Sequence, residues 1–266
     1  LNRIIDDINA SGFGLTFGLH SRIDQRIEDI TSKLKVGNMY VNRNQIGAIV
    51  GSQPFGGEGL SGTGPKAGGP NYITRFIKEK DADNRLLNTP TNQNRTDQHC
   101  TSGTSTFLTI NKVQQAINAM GVIIPTKLKS EVMLGPTGES NILSTFSRGL
   151  ILCLGPTLEQ AMLQAKIASD NGCKGLIIVP GAQGVAALDG FLNRSDLAEL
   201  DGFDAVALWS DETDQRTTRK ALTQRSGAIL PLIIEQDMAS RCHLERHICI
   251  DTTAAGGNTA LLSMSS

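Results

Sequence analysis

LILCLGPTLEQAMLQAKIASDNGCKGLIIVPG, Leu150–Gly181, is the stretch that decides the fold class. It opens with an unbroken apolar run, continues as a segment of helical composition that stops at Gly172, and closes with a second apolar run, KGLIIVPG. Strands that are apolar throughout are buried on both faces, which is the condition of a parallel sheet covered by helices on either side. The pattern continues outward. AQGVAALDGFLN reads as a helix, FDAVALWS as a strand, DETDQRTTRKALTQRSG as a helix ending at Gly227, and AILPLIIEQ as a strand. Crossovers between such strands are right-handed. The fold class is therefore α/β, with a Rossmann-like, doubly wound parallel sheet.

The 266 residues allow one large domain or two ordinary ones. A formal net charge of −1 offers no electrostatic footprint for nucleic acid or anionic lipid. The sequence has no apolar run of the ~18 residues a membrane span needs. Five cysteines, Cys100, Cys153, Cys173, Cys242 and Cys249, are an odd number in a long chain, which fits reduced thiols in the cytoplasm better than a disulfide framework. The opening LNRIIDDINA reads as the middle of an amphipathic helix, with Ile4, Ile5 and Ile8 apolar, and suggests a piece of something larger.

Four segments are expected. Residues 1–76 begin with that helix and continue as a strand, GFGLTFGL. A helix follows, with Ile23, Ile27, Ile30 and Leu34 on one face and Gly37 at its stop, and then a strand, NMYVNR. Residues 77–106 are polar and read as a linker. Residues 107–247 hold the Rossmann-like part, and residues 248–266 a last strand with a tail broken by Gly256 and Gly257.

PFGGEGLSGTGPKAGGP, Pro54–Pro70, contains a literal G-x-G-x-x-G at Gly57, Gly59 and Gly62. The dinucleotide fingerprint needs a strand directly before it and a helix directly after. Neither is available here, so these glycines are read as a tight backbone path with exposed N–H groups. GPTGESN, Gly135–Asn141, lacks the lysine of a P-loop and reads as a loop before a sheet. In CHLERHIC, Cys242, His243, His247 and Cys249 lack the ligand spacing of a zinc site. Cys153 and Cys173 lie on core strands and act as small buried hydrophobes; no catalytic thiol is expected. After LILCLG, Gly155 is followed by Pro156 and by no further glycine, which argues against an independent nucleotide site.

GFGLTFGL, G-N-x-Y-V-N-R and P-F-G-G-x-x-x-S-G-T-G resemble the C-terminal part of the catalytic region of aldehyde dehydrogenases. IGAIVGSQPFGG followed by KAGGPNYITRF is similar, within that superfamily, to glutamate γ-semialdehyde (Δ1-pyrroline-5-carboxylate) dehydrogenase. GPTGESN, RGLILCLGP and TTAAGGNTALLSM resemble the C-terminal domain of the bifunctional proline utilization A family. Together the matches cover most of the chain except the polar linker.

The resemblance implies that IGAIVGSQPF is an aldehyde anchor loop. In it Gly47 and Ala48 offer N–H groups to the substrate α-carboxylate, Phe55 packs on the aliphatic part, and Ser52 and Gln53 shape the loop. It implies NAD and FAD in the parent protein, with none bound to this chain, and the rest of the parent and a homo-oligomer as partners. The family's nucleophilic cysteine and NAD-contacting glutamate match nothing here, so no catalytic residue and no metal site is expected in this chain. The region after the linker would be a noncatalytic domain whose tail seals a substrate channel. The alternatives are a structural or oligomerisation module, and a nucleotide-binding Rossmann domain in its own right.

Overall fold

A computed structural model describes residues 1–62, 64–76 and 106–253. The polar linker and the tail beyond residue 253 lie outside the described residues.

The chain opens with α1 (Asn2–Ala10), β1 (Phe13–Gly14), β2 (Thr16–Leu19), α2 (Asp24–Lys33), β3 (Asn38–Val41) and β4 (Glu58–Gly59). Ile27, Ile30 and Leu34 are buried as their spacing requires, whereas Ile23 is half exposed. Gly37 does not stop α2. The helix ends at Lys33, where Leu34 turns extended (φ −78°, ψ 137°). Asn9 of α1 then takes the Lys33 carbonyl at 2.9 Å and the Lys35 N–H at 2.8 Å. Gly37 is small for another reason: a Cβ there would run into the Gly56 carbonyl.

The Rossmann-like part follows α3 (Ile110–Ala119) and comprises β7 (Leu150–Cys153), α4 (Leu158–Asp170), β8 (Lys174–Ile178), β9 (Ala187–Leu188), β10 (Ala205–Ala207), α5 (Glu212–Thr223) and β11 (Leu232–Ile233). Its strands lie in the order β11-β10-β7-β8-β9 and every pairing is parallel. The chain thus winds one way from β7 and then the other, which is the doubly wound arrangement. Leu150, Leu152, Leu176, Ile178, Val206 and Leu208 pack on one face with residues of α3 and α5. Ile151, Cys153, Ala205, Ala207 and Ile233 pack on the other with residues of α4. Thr157 caps α4 with a reciprocal Gln160 contact, which satisfies first-turn donors locally.

Two expectations fail here. AQGVAALDGFLN is a loop carrying the short β9, not a helix. Gly184 and Gly190 take φ values of +123° and +143°, outside the right-handed helical region, and the loop returns Ala187–Leu188 to the edge of β8. α5 stops at Thr223 rather than at Gly227, which lies in the turn beyond with φ +100°.

Two further strands, between α3 and β7, were not expected. β5 (Lys127–Met133) and β6 (Glu139–Ser147) form an antiparallel hairpin around the Gly135–Gly138 turn. The last strand, β12 (His243–Asp251), begins five residues before the expected segment 248–266. It pairs antiparallel with β6 and parallel with β3, so one five-stranded sheet runs β2-β3-β12-β6-β5. Residues about 200 positions apart in sequence, Asn38 and His247, are direct partners in it. The beginning and the end of the described chain therefore share a sheet.

Candidate functional site

The anchor-loop residues sit on a short excursion after β3. Gly47 (φ +79°) and Gly51 (φ +86°) give it two left-handed turns, and nothing lies within 4 Å of where a Cβ would stand at either. The Ser52 and Gln53 N–H groups both donate to the Ile49 carbonyl. The Ile49 N–H donates to Gln53 Oε1 at 3.3 Å, so the Gln53 side chain closes the loop from beneath. Among the described residues the Gly47 and Ala48 N–H groups meet no acceptor. Ile46 and Val50 flank them and are exposed. Phe55 is half-buried and tied to Ala67 by a reciprocal pair of backbone hydrogen bonds of 2.9 and 2.8 Å.

Beneath the loop lies a polar layer that the sequence reading did not find. Gln53, 1% exposed, donates from Nε2 to Glu139 Oε2 at 2.9 Å. Arg43 Nη1 donates to Glu139 Oε1 at 2.5 Å and approaches Cys249 Sγ at 3.2 Å. Glu139 belongs to the β5–β6 hairpin, so this tie joins the loop to the late part of the chain. Lys66, also 1% exposed, donates from Nζ to Asn38 Oδ1 at 2.9 Å and to the Gly56 carbonyl. Glu245 of β12 accepts the Lys66 N–H at 2.8 Å and the Asn71 side-chain amide at 2.6 Å. Arg246 grips Glu58 with two hydrogen bonds of 2.7 Å and stacks over Phe146.

Burial pushes the Lys66 amine down to about 7, against the pull of the Glu245 and Glu58 carboxylates. Burial, and then the charge of Lys66, pushes His247 down to about 4. The ring nitrogens of His247 and the Tyr40 hydroxyl make no hydrogen bond of good geometry among the described residues, and only weak approaches by the Ser52 backbone and the Asn38 side chain, respectively, serve them. Buried polar groups left in this state are costly, so the layer stores free energy that an apolar core would not. The one signal in the sequence was a solitary lysine, Lys66, inside a glycine- and proline-rich run.

The Cys242–Cys249 motif begins at the end of the short turn Ala239–Cys242 and continues along β12. Cys242 contacts the Met238 carbonyl, His243 pairs with Asn171, and Cys249 faces Arg43 and Gln53. Burial raises the Cys153 thiol to about 12, which suits a core residue and not a nucleophile. Cys100 lies outside the described residues.

At the sheet's switch point, where an open α/β sheet receives a nucleotide, the backbone is occupied. The Gly155 N–H donates to Gln164 Oε1 at 3.1 Å. The Gly155 carbonyl accepts from Gln164 Nε2 at 3.2 Å and from the Trp209 N–H at 2.9 Å. Gln164 is fully buried between the strand end and α4. The residues present do not fit a pyrophosphate.

Residues 1–82 match the model of the aldehyde dehydrogenase family. Over 99% of its length the chain is 35% identical to "Bifunctional protein PutA" of Salmonella typhimurium, and covers 22% of that protein. It spans about a fifth of the length of the curated PutA relatives it matches. A 72-residue stretch is 46% identical to "1-pyrroline-5-carboxylate dehydrogenase" of a Geobacillus species, covering 27% of this chain and 14% of that one. A solved structure of proline utilization A from Corynebacterium freiburgense, 20% identical, shares the fold with a TM-score of 0.53, over 94% of this chain and 24% of its own. The chain corresponds to part of a PutA-like protein and carries an aldehyde dehydrogenase segment. Among the described residues no helix is long and apolar enough to cross a membrane.

Proposed function

We propose that the chain forms part of an NAD-dependent glutamate γ-semialdehyde dehydrogenase of proline catabolism in the cytoplasm. In this reading Gly47 and Ala48 bind the substrate α-carboxylate, and Phe55 packs on its aliphatic chain. The observation that carries the reading is the loop itself: two consecutive N–H groups without an acceptor, on a glycine-shaped turn, beside a half-buried phenyl ring. Adjacent backbone N–H groups bind a carboxylate without a charged side chain. Held at that end, the aldehyde is oriented for attack by a thiolate supplied elsewhere in the longer protein. NAD supplies the hydride acceptor when bound. This chain's own residues orient the substrate.

The region from residue 107 is, in the same reading, a noncatalytic domain that covers the dehydrogenase and helps seal its substrate channel. The switch point filled by Gln164 and Trp209 supports this over an independent nucleotide site. Calorimetric titration of NAD into the chain tests it. No heat of binding is expected, and stoichiometric micromolar binding would overturn the noncatalytic reading.

A further inference from the structure

The anchor loop is held from below by a residue outside it. Asn38 donates from Nδ2 to the Pro54 carbonyl at 2.9 Å and accepts the Gly56 N–H on Oδ1 at 3.0 Å. One amide thus grips the backbone on both sides of Phe55. Lys66 supports the grip from behind: its Nζ donates to the same Asn38 Oδ1 and to the Gly56 carbonyl. The next residue, Ala67, completes the hold through its two backbone bonds to Phe55. Gly37 and Gly56 are small enough to let the lysine stem pass; a Cβ at Gly37 would stand 2.9 Å from Nζ, and one at Gly56 would stand 3.3 Å from the Lys66 Cα.

We propose that Lys66 is a positioning residue for substrate binding, fixing through Asn38 and Gly56 where Phe55 stands and so the fit of the subsite for the substrate's aliphatic chain. The inference rests on the assignment of Phe55 to that subsite. A lysine used only to stabilise the fold would have no reason to be brought, at the expense of its hydration, to both flanks of one residue. The bidentate Arg246–Glu58 pair already ties β12 to the glycine-rich stretch without touching Phe55. Because Lys66 touches neither substrate nor cofactor, its removal should change binding at the aldehyde end and leave the NAD end alone.

The test uses the full-length PutA-like protein. The probe is L-glutamate, the product in this reading, which keeps the α-carboxylate and the aliphatic chain and cannot cyclise. Lys66→Met keeps the stem length and removes the donor. Its glutamate inhibition constant and its semialdehyde KM should each rise about tenfold, with the NAD KM within about twofold, as expected for a small displacement of a binding group. A purely structural role would instead lower the active fraction and leave both constants in place. Asn38→Ala cuts the relay while keeping the lysine, and should weaken glutamate in the same direction by a smaller factor. It also serves as the deciding variant if Lys66→Met does not fold. A folded Lys66→Met, or failing that a folded Asn38→Ala, with unchanged glutamate inhibition overturns the proposal. Phe55→Ala separates the two levels. If it weakens glutamate and the other two variants do not, the Lys66 role alone falls. If Phe55→Ala has no effect, the subsite assignment and the inference fall together.

Discussion

The two sheets of this molecule handle buried polar groups in opposite ways. In the parallel sheet, the polar backbone at the switch point is satisfied by one side chain, Gln164, which returns both hydrogen bonds of Gly155. In the mixed sheet, Lys66, Gln53, Asn38 and His247 are buried under a loop whose Gly47 and Ala48 N–H groups meet no acceptor among the described residues. The first arrangement leaves nothing for a ligand to complete. The second keeps charge, donors and unsatisfied groups next to an exposed turn, which is what a binding site requires and a merely stable core avoids. The same architecture thus contains a sheet end whose polar backbone is satisfied internally and an exposed turn with two N–H groups that meet no acceptor among the described residues.

The contrast can be broken on the side of the mixed sheet, at the seam that joins β12 to the glycine-rich stretch. Glu58→Ala leaves Arg246 buried without its bidentate partner, and both side chains are nearly inaccessible at 5% and 10% exposure. Loss of one member of such a pair costs about 3 kcal/mol. Urea unfolding should show that loss, and a change under about 0.5 kcal/mol would mean the seam is no more than a surface contact.

A smaller effect is expected at the loop proposed to hold the substrate carboxylate. Gly47 has φ +79°, which proline cannot adopt, and proline also lacks the N–H. Gly47→Pro in the full-length protein should lower kcat/KM for the semialdehyde about a hundredfold. Wild-type affinity in that variant would show that the carboxylate binds elsewhere. On the closed side, Gln164→Ala strands the N–H and one bond of the carbonyl of Gly155, at a cost of about 2 kcal/mol. It should not create an NAD site, because Trp209 still occupies the carbonyl. NAD binding by this variant would show that Gln164 alone closes the crevice.

Much of the parallel sheet was legible in the sequence, because continuous apolar strands are local signals and Gly172 stands just past the end of α4, although Gly227 lies beyond the end of α5. The loop at Gly184–Gly190 misled because alanine and leucine there have helical propensity, whereas the backbone around them is set by glycine φ values that composition does not reveal. The mixed sheet was legible only in part. β3 could be read from its own residues, but β5 and β6 show no clean alternation, and β12 depends on pairing across about 100 positions to β6 and about 200 to β3. The assignment of the loop after β3 as a substrate anchor comes from resemblance alone. The layer beneath it was not legible, since Lys66, Asn38, Gln53 and Glu139 come from separate segments and no spacing links them.

The mildest test is a pH profile. The Lys66 amine stands at about 7 in the folded chain and at its ordinary 10.5 when unfolded. Between these values the unfolded state binds one more proton, so stability must rise with pH across that window. Below about 7 both states hold the proton and this contribution is flat. The slope from one such group is at most about 1.4 kcal/mol per pH unit. His247 acts in the same direction but only between about 4 and its ordinary 6.5, so it does not interfere. Above about 9 the buried thiols oppose the trend, since burial keeps Cys153 and Cys249 protonated while unfolded cysteines ionise. The Cys173 thiol, pulled down to about 6 by its contact with Cys242, adds to the rise over the same window. Denaturation of the wild-type chain between pH 7 and 8.5 should therefore show rising stability, and Lys66→Met should make the slope shallower without abolishing it. An equal slope in both would mean that the lysine keeps its ordinary proton affinity, and that the layer under the loop is wetter than its burial implies.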